Sequence, residues 1–170
     1  LLPEQKEKLA YVLQGGEHLL RLIDDILDLS RIEAGRVMIS PEPVRIDDVL
    51  SEMQQTLGPM AARSGITLSV QAPPAGLEVV ADRTRLTQVL INFGSNAIKY
   101  GKPGGAAEVR VELQAEQRLR LFVRDDGIGI PLEKQDKIFQ PFQRAGQEAG
   151  PIEGTGIGLS ITKRLAELMG

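Results

Sequence analysis

The chain has 170 residues, 42% of them apolar, with 20 Lys+Arg against 23 Asp+Glu and a net charge of -3. That balance carries no electrostatic footprint for nucleic acid, the absence of cysteine excludes disulfides and thiolate metal sites, and no run approaches the roughly 18 apolar residues of a membrane span. With no signal-peptide pattern at its start, the chain reads as a cytosolic piece: one domain plus a short appended element, with an aliphatic core because aromatics are only 4%.

The first predicted element is a helix from about Glu4 to Ala34. Leu9, Val12, Gly16, Leu19, Ile23, Ile26 and Ser30 alternate steps of three and four, and Leu13, Leu20 and Leu27 widen that stripe. A seam of this width suits a four-helix bundle, and a single helix about 45 Å long cannot bury it alone. Pro3 fits the first turn and Gly35 the stop. A domain boundary is expected near Gly35 to Val44. Val37 to Ser40 alternates like a short strand broken by Pro41 and Pro43, and Asp47 is placed to cap a helix ending at Gly65. Two strands follow, at Ile66–Val70 and Leu77–Ala81, then a helix from Asp82 to Tyr100 and a hairpin of Glu108–Leu113 with Leu119–Arg124. A short helix near Glu133–Ile138, an aperiodic stretch from Gln143 to Glu153 and a last helix over Ile157–Met169 complete the chain. Helices and a mostly antiparallel sheet in separate runs predict an α+β two-layer sandwich preceded by one long bundle helix.

Four segments carry candidate chemistry. Asn92, Asn96, Lys99 and Tyr100 share one helical stripe. Asparagine is a poor residue inside a helix, so two of them one turn apart form either a solvated polar face or a set of hard oxygen donors for Mg2+ beside a cation for phosphate. Asp125-Asp126-Gly127-Ile128-Gly129-Ile130 follows a strand. It reads as an Asp-Gly turn, or as backbone that lets a flat ligand approach a carboxylate. Gly154-Thr155-Gly156-Ile157-Gly158-Leu159 opens the last helix, where free amides and glycines form an anion site. It has neither the P-loop nor the dinucleotide-fingerprint spacing. Phe139-Gln140-Pro141-Phe142 alone is a helix end packing two aromatics under a loop.

In this order along one chain, the four segments resemble the four boxes of the histidine-kinase catalytic domain, within the larger family of gyrase, Hsp90 and MutL ATPases. Asn92-x-x-x-Asn96-x-x-Lys99-Tyr100 is similar to the asparagine box, and Asp125-x-Gly127-x-Gly129-Ile130 to the first glycine box. Phe139-x-x-Phe142 is similar to the phenylalanine box, and Gly154-Thr155-Gly156-Ile157-Gly158-Leu159 to the second glycine box. Gly16 to Gly35 resembles the second helix of the family's dimerisation domain. The resemblance divides the chain into residues 1–36, an incomplete dimerisation and histidine-phosphotransfer domain, and residues 37–170, a catalytic ATP-binding domain. It implies ATP and Mg2+ as cofactors. Asn96 would hold the metal, and Asp125 would accept from the adenine amino group. Lys99, Tyr100 and Arg144 would contact phosphates or ribose. The amides around Gly156 and Gly158 would hold the phosphate chain. Gly127, Gly129, Ile130, Phe142, Gly154, Thr155 and Leu159 complete the implied nucleotide site, under a lid at residues 143–153.

Asn92, Asn96 and Lys99 are the implied catalytic residues. Asn92 stands where the family's ATP-hydrolysing members carry a glutamate base. A carboxamide cannot accept a proton, which favours phosphoryl transfer over hydrolysis. The sole histidine, His18, precedes Leu19-Leu20-Arg21-Leu22 with no proline nearby, unlike the family's phosphoacceptor, and is expected to be an ordinary outward-facing helical residue. The acceptor helix and a C-terminal β-hairpin of the family pattern are expected to lie outside these residues, so the chain as given is not expected to phosphorylate itself. The implied function is two-component signalling: Mg-ATP binding, transfer to a histidine on the first dimerisation helix, and relay to a response-regulator aspartate. The implied partners are ATP, a second copy through the helical bundle and a receiver domain, with no nucleic acid and no membrane contact. A nucleotide-binding scaffold and a gyrase-type or Hsp90-type ATPase are the alternative classes.

Overall fold

A computed structural model describes residues 2–115, 118–143 and 154–170. Helix α1 spans Pro3–Glu33 and is stopped by Gly35 at a φ of 65°, a backbone conformation that suits glycine. Strand β1 (Glu42–Arg45) leads into α2 (Ile46–Ser64), then β2 (Thr67–Val70), β3 (Glu78–Ala81) and α3 (Arg83–Lys99). The hairpin of β4 (Ala106–Leu113) and β5 (Leu119–Asp125) is followed by the single turn α4 (Leu132–Gln135) and by α5 (Gly158–Met169).

The core is an aliphatic sandwich. Ile46, Val49, Leu50, Met53, Leu57 and Ala61 recur at helical spacing on α2 and are all buried, each large one contributing about 1.5–3 kcal/mol of transfer free energy. They meet Leu86, Leu90, Ala97 and Ile98 of α3 and the inward residues Ala107 and Val109 of β4. α2 and α3 approach closely at Gly94, where an added Cβ would lie 2.4 Å from Leu57 Cδ1 and 2.5 Å from Met53 Cε. A second buried cluster joins Ile32 of α1 to Val89 of α3 and to Ile157, Ile161 and Leu165 at α5. It seats the end of α1 on the body.

Asp82 caps α3 as expected, accepting from the Arg85 amide at 3.0 Å, while its other oxygen accepts from the Ser40 amide at 3.1 Å. Partial burial pushes this carboxyl up. The amide bonds from Arg85 and Ser40, with the Arg85 charge behind them, outweigh that and hold it below its ordinary value.

The α+β class holds, with three differences in detail. β4 and β5 pair antiparallel, as do β1 and β3, but β2 pairs with β4 in parallel, and the strands form separate sheets ordered β1-β3 and β2-β4-β5. The expected strand at 37–40 is absent; the strand lies at Glu42–Arg45 and contains Pro43. Proline is tolerated there because β1 has one partner strand among the described residues and the missing N–H can face outward. Arg45, not Asp47, holds the α2 cap position and makes no side-chain cap bond; Asp47 and Asp48 lie in the first turn, where negative charge complements the helix dipole.

Candidate functional site

The polar stripe of α3, the turn after β5, the α4 segment and the start of α5 surround one cavity of about 630 Å3. That volume lies within the range of small-molecule sites. Asn92, Asn96, Lys99 and Tyr100 line one wall; Asp125, Gly129 and Ile130 line another; Gly154, Thr155, Gly156, Gly158 and Leu159 close the far side. The helical stripe arises because Leu90, Ala97 and Ile98 point into the core, leaving the polar residues on the opposite face of α3.

Each wall has a local cause. Asp125 Oδ1 accepts from the Gly127 amide at 2.9 Å, so the Asp-Gly turn and the cavity-lining carboxylate are one feature. A Cβ at Gly127 would stand 2.3 Å from the Tyr100 carbonyl oxygen, and the Ile128 amide donates to that same oxygen at 3.2 Å. The turn is therefore pressed against the end of α3. Gly129 and Gly156 have φ of 70° and 71°, which only glycine adopts freely. Asn92 donates through Nδ2 to the buried Thr162 hydroxyl of α5, and a Cβ at Gly158 would lie 2.7 Å from Asn92 Oδ1. Asn92 thus also ties α3 to the N-terminal half of α5.

Two expected site residues lie apart from the wall. Gly127 is not a lining residue, although its backbone holds Asp125, and Phe142 is 60% exposed at a φ of 65°. Arg144, with positions 144–153 of the expected lid, lies outside the described residues. The apolar lining was less visible in the sequence: Phe93, Val123, Ile128, Ile138 and Phe139 contribute, together with Gln135 and Gln143. Alternation on β5 signals Val123, and Phe93 stands three residues before Asn96 and seven before Tyr100 on one helical face, but nothing local signals that Ile138 and Phe139 turn toward the same space. Lys163 Nζ sits 5.6 Å from the Phe139 ring centroid.

His18 is half-buried and not exposed. It lines a second, smaller cavity of about 110 Å3 with Arg21, Asp25, Lys99, Gly154 and Thr155. α1 rests on the body there because its half-buried positions, His18, Leu22, Asp25, Leu29 and the buried Ile32, form a stripe one residue away from the apolar seam.

The described residues hold no group of three or more His, Asp or Glu side chains suited to a metal ion. The Asn96 carboxamide lines the larger cavity, and its oxygen is one protein ligand of the kind Mg2+ takes beside waters and nucleotide phosphates. No helix among the described residues is long and apolar enough to cross a membrane.

The family model described as "Histidine kinase-, DNA gyrase B-, and HSP90-like ATPase" matches residues 81–170. The chain belongs to this family. Its relatives are sensor histidine kinases, protein-histidine kinases that are transferases. A sensor-like histidine kinase of Rhizobium meliloti (strain 1021) is 38% identical over 167 residues, which cover 98% of this chain and 32% of that protein. The crystal structure of full-length ShkA in complex with AMPPNP is 30% identical with a TM-score of 0.81, covering 100% of this chain and 35% of that one. The crystal structure of histidine kinase ThkA in complex with the response regulator protein TrrA is 26% identical with a TM-score of 0.70, covering 85% of this chain and 42% of that one. The chain thus spans about a third of the length of the Rhizobium relative. The larger cavity therefore lies within a histidine-kinase-type ATPase domain.

Proposed function

We propose that residues 37–170 bind Mg-ATP and transfer its terminal phosphoryl group to a histidine on a dimerisation helix, and that residues 1–36 are the second helix of that dimerisation domain. The observation that carries this reading is the convergence of Asn92, Asn96, Lys99, Asp125 and the glycine loop 154–158 on one cavity. Asp125 would accept from the adenine amino group, with Gly129 and Ile130 beside the ring. Lys99 and Tyr100 would face phosphates or ribose, with Arg144. The amides near Gly156 and Gly158 would receive the phosphate chain at the start of α5, where unpaired N–H groups favour an anion.

Asn96 would hold Mg2+, which when bound neutralises charge on the phosphates. In the transfer, the bond from the γ-phosphorus to its bridging oxygen breaks and a bond to an imidazole nitrogen forms. ADP departs, and the imidazole proton passes to solvent. Asn92 supplies no general base, because its carboxamide cannot accept a proton and its Nδ2 is engaged by Thr162. Positioning and charge stabilisation therefore carry the rate, and water is not activated.

The same reading makes the parent protein a cytoplasmic signalling kinase that pairs with a second copy through the helical bundle and passes phosphate to a response-regulator aspartate. The pairing is favoured by Leu13, Leu19 and Leu20 of the α1 seam, 58–63% exposed. The test mixes the chain with γ-labelled ATP, Mg2+ and a separate acceptor-helix domain. Label is expected on the acceptor histidine, lost in Asn96→Ala and Asp125→Ala. ATP binding with no transfer to any acceptor would overturn the kinase reading in favour of a scaffold, and label on His18 would overturn its exclusion as acceptor.

A further inference from the structure

We infer that Asp25, on α1, is a positioning residue for the phosphate-facing glycine loop and acts through Thr155. The inference rests on the nucleotide reading above. The Thr155 hydroxyl donates to Asp25 Oδ2 at 2.7 Å and accepts from the Ile157 amide at 3.2 Å. One hydroxyl therefore links a carboxylate on the long helix to the backbone that opens α5. Because its proton goes to Asp25, its lone pairs are left to face the amide. A bond to an ionised acceptor is stronger than a neutral one.

The loop needs such an anchor. Thr155 lies between Gly154 and Gly156, and neither glycine has a side chain to hold it in place. The backbone at Gly156 takes a φ of 71°. A loop of this composition has many conformations open to it, and fixing one before the ligand arrives removes part of the ordering cost of binding. The anchor is itself held. Ile32, two turns further along α1, is buried against Ile157, Ile161 and Leu165, and Gln88 of α3 donates to Asp28 at 3.3 Å. The small cavity beside the loop brings Asp25, Gly154 and Thr155 together with Lys99, which also lines the larger one. The helix thus borders the end of the site that faces phosphate and not the end that faces adenine. By linkage, a nucleotide held by the ordered loop tightens the seat of α1 on the body, and loosening α1 weakens the nucleotide by the same factor.

The experiment measures dissociation constants of ATP and of adenosine for the whole chain. Asp25→Ala should weaken ATP about fivefold, the scale of one hydrogen bond, and leave adenosine unchanged. Thr155→Val should do the same, and the double variant should lose no more than either single one. Asp25→Asn and Thr155→Ser, which keep an acceptor and a hydroxyl, should retain most of the ATP affinity. Equal losses for ATP and adenosine would mark a general structural role and overturn the inference, as would unchanged ATP binding in Asp25→Ala. A parent chain that binds neither ligand would overturn the nucleotide reading itself, and this inference with it.

Discussion

Helices α1 and α2 are both amphipathic, yet they meet opposite fates. α2 buries six residues, Ile46, Val49, Leu50, Met53, Leu57 and Ala61, against α3 and the sheet. α1 is longer, at 31 residues, and among its described side chains only Ile32 is buried. Its apolar seam faces solvent, with Val12 at 69% exposure. The face of α1 that touches the body is instead the stripe beside the seam, carrying His18, Asp25 and Asp28 together with Leu22, Leu29 and the buried Ile32. A helix can thus have two distinct addresses: a narrow one of mixed polarity on the body and a wide apolar one that is left exposed here.

The largest test of that contrast is truncation in the α2 face. Leu57→Ala should lower unfolding stability by about 2–5 kcal/mol, the range for a fully buried leucine, read in a urea titration. Next, Gly127→Ala should cost about 1–3 kcal/mol through overpacking, because the new Cβ meets the Tyr100 carbonyl at 2.3 Å and backbone cannot swing aside as a side-chain tip can. Its ATP affinity should fall as the turn that presents Asp125 shifts. Asp82→Ala should cost about 1 kcal/mol by removing the α3 cap.

The same group sets an acid sensitivity. The folded-state pKa of Asp82 is lowered, so its contribution is complete above the unfolded value, near 3.8, and is lost as pH falls through the lower folded value. Urea midpoints should drop more for the parent chain than for Asp82→Ala in that acid window. The smallest effect should come from α1: Leu20→Ala, at a side chain 63% exposed, should change stability by less than about 0.5 kcal/mol in dilute solution while weakening any self-association measured by sedimentation. If Leu20→Ala cost as much as Leu57→Ala in dilute solution, the contrast between the two helices would be wrong.

The chain's own order of residues determined a good deal. The helical period of α1, the stops at Gly35 and Gly65, the Asp82 cap and the β4–β5 hairpin all follow from contacts within a few residues, where propensity and turn chemistry act. The clustering of Asn92, Asn96, Lys99 and Tyr100 was legible for the same reason, since one helix sets their spacing. What tertiary structure alone decided are pairings between distant segments: the parallel register of β2 with β4, the strand through Pro43, the inward turn of Ile138 and Phe139, and the bond from Thr155 to Asp25 across 130 positions. Periodicity showed that α1 had an apolar face, but not that its neighbouring stripe would carry the contact with the body. That choice depends on the shape the rest of the chain offers, and local sequence does not encode a surface that exists only after folding.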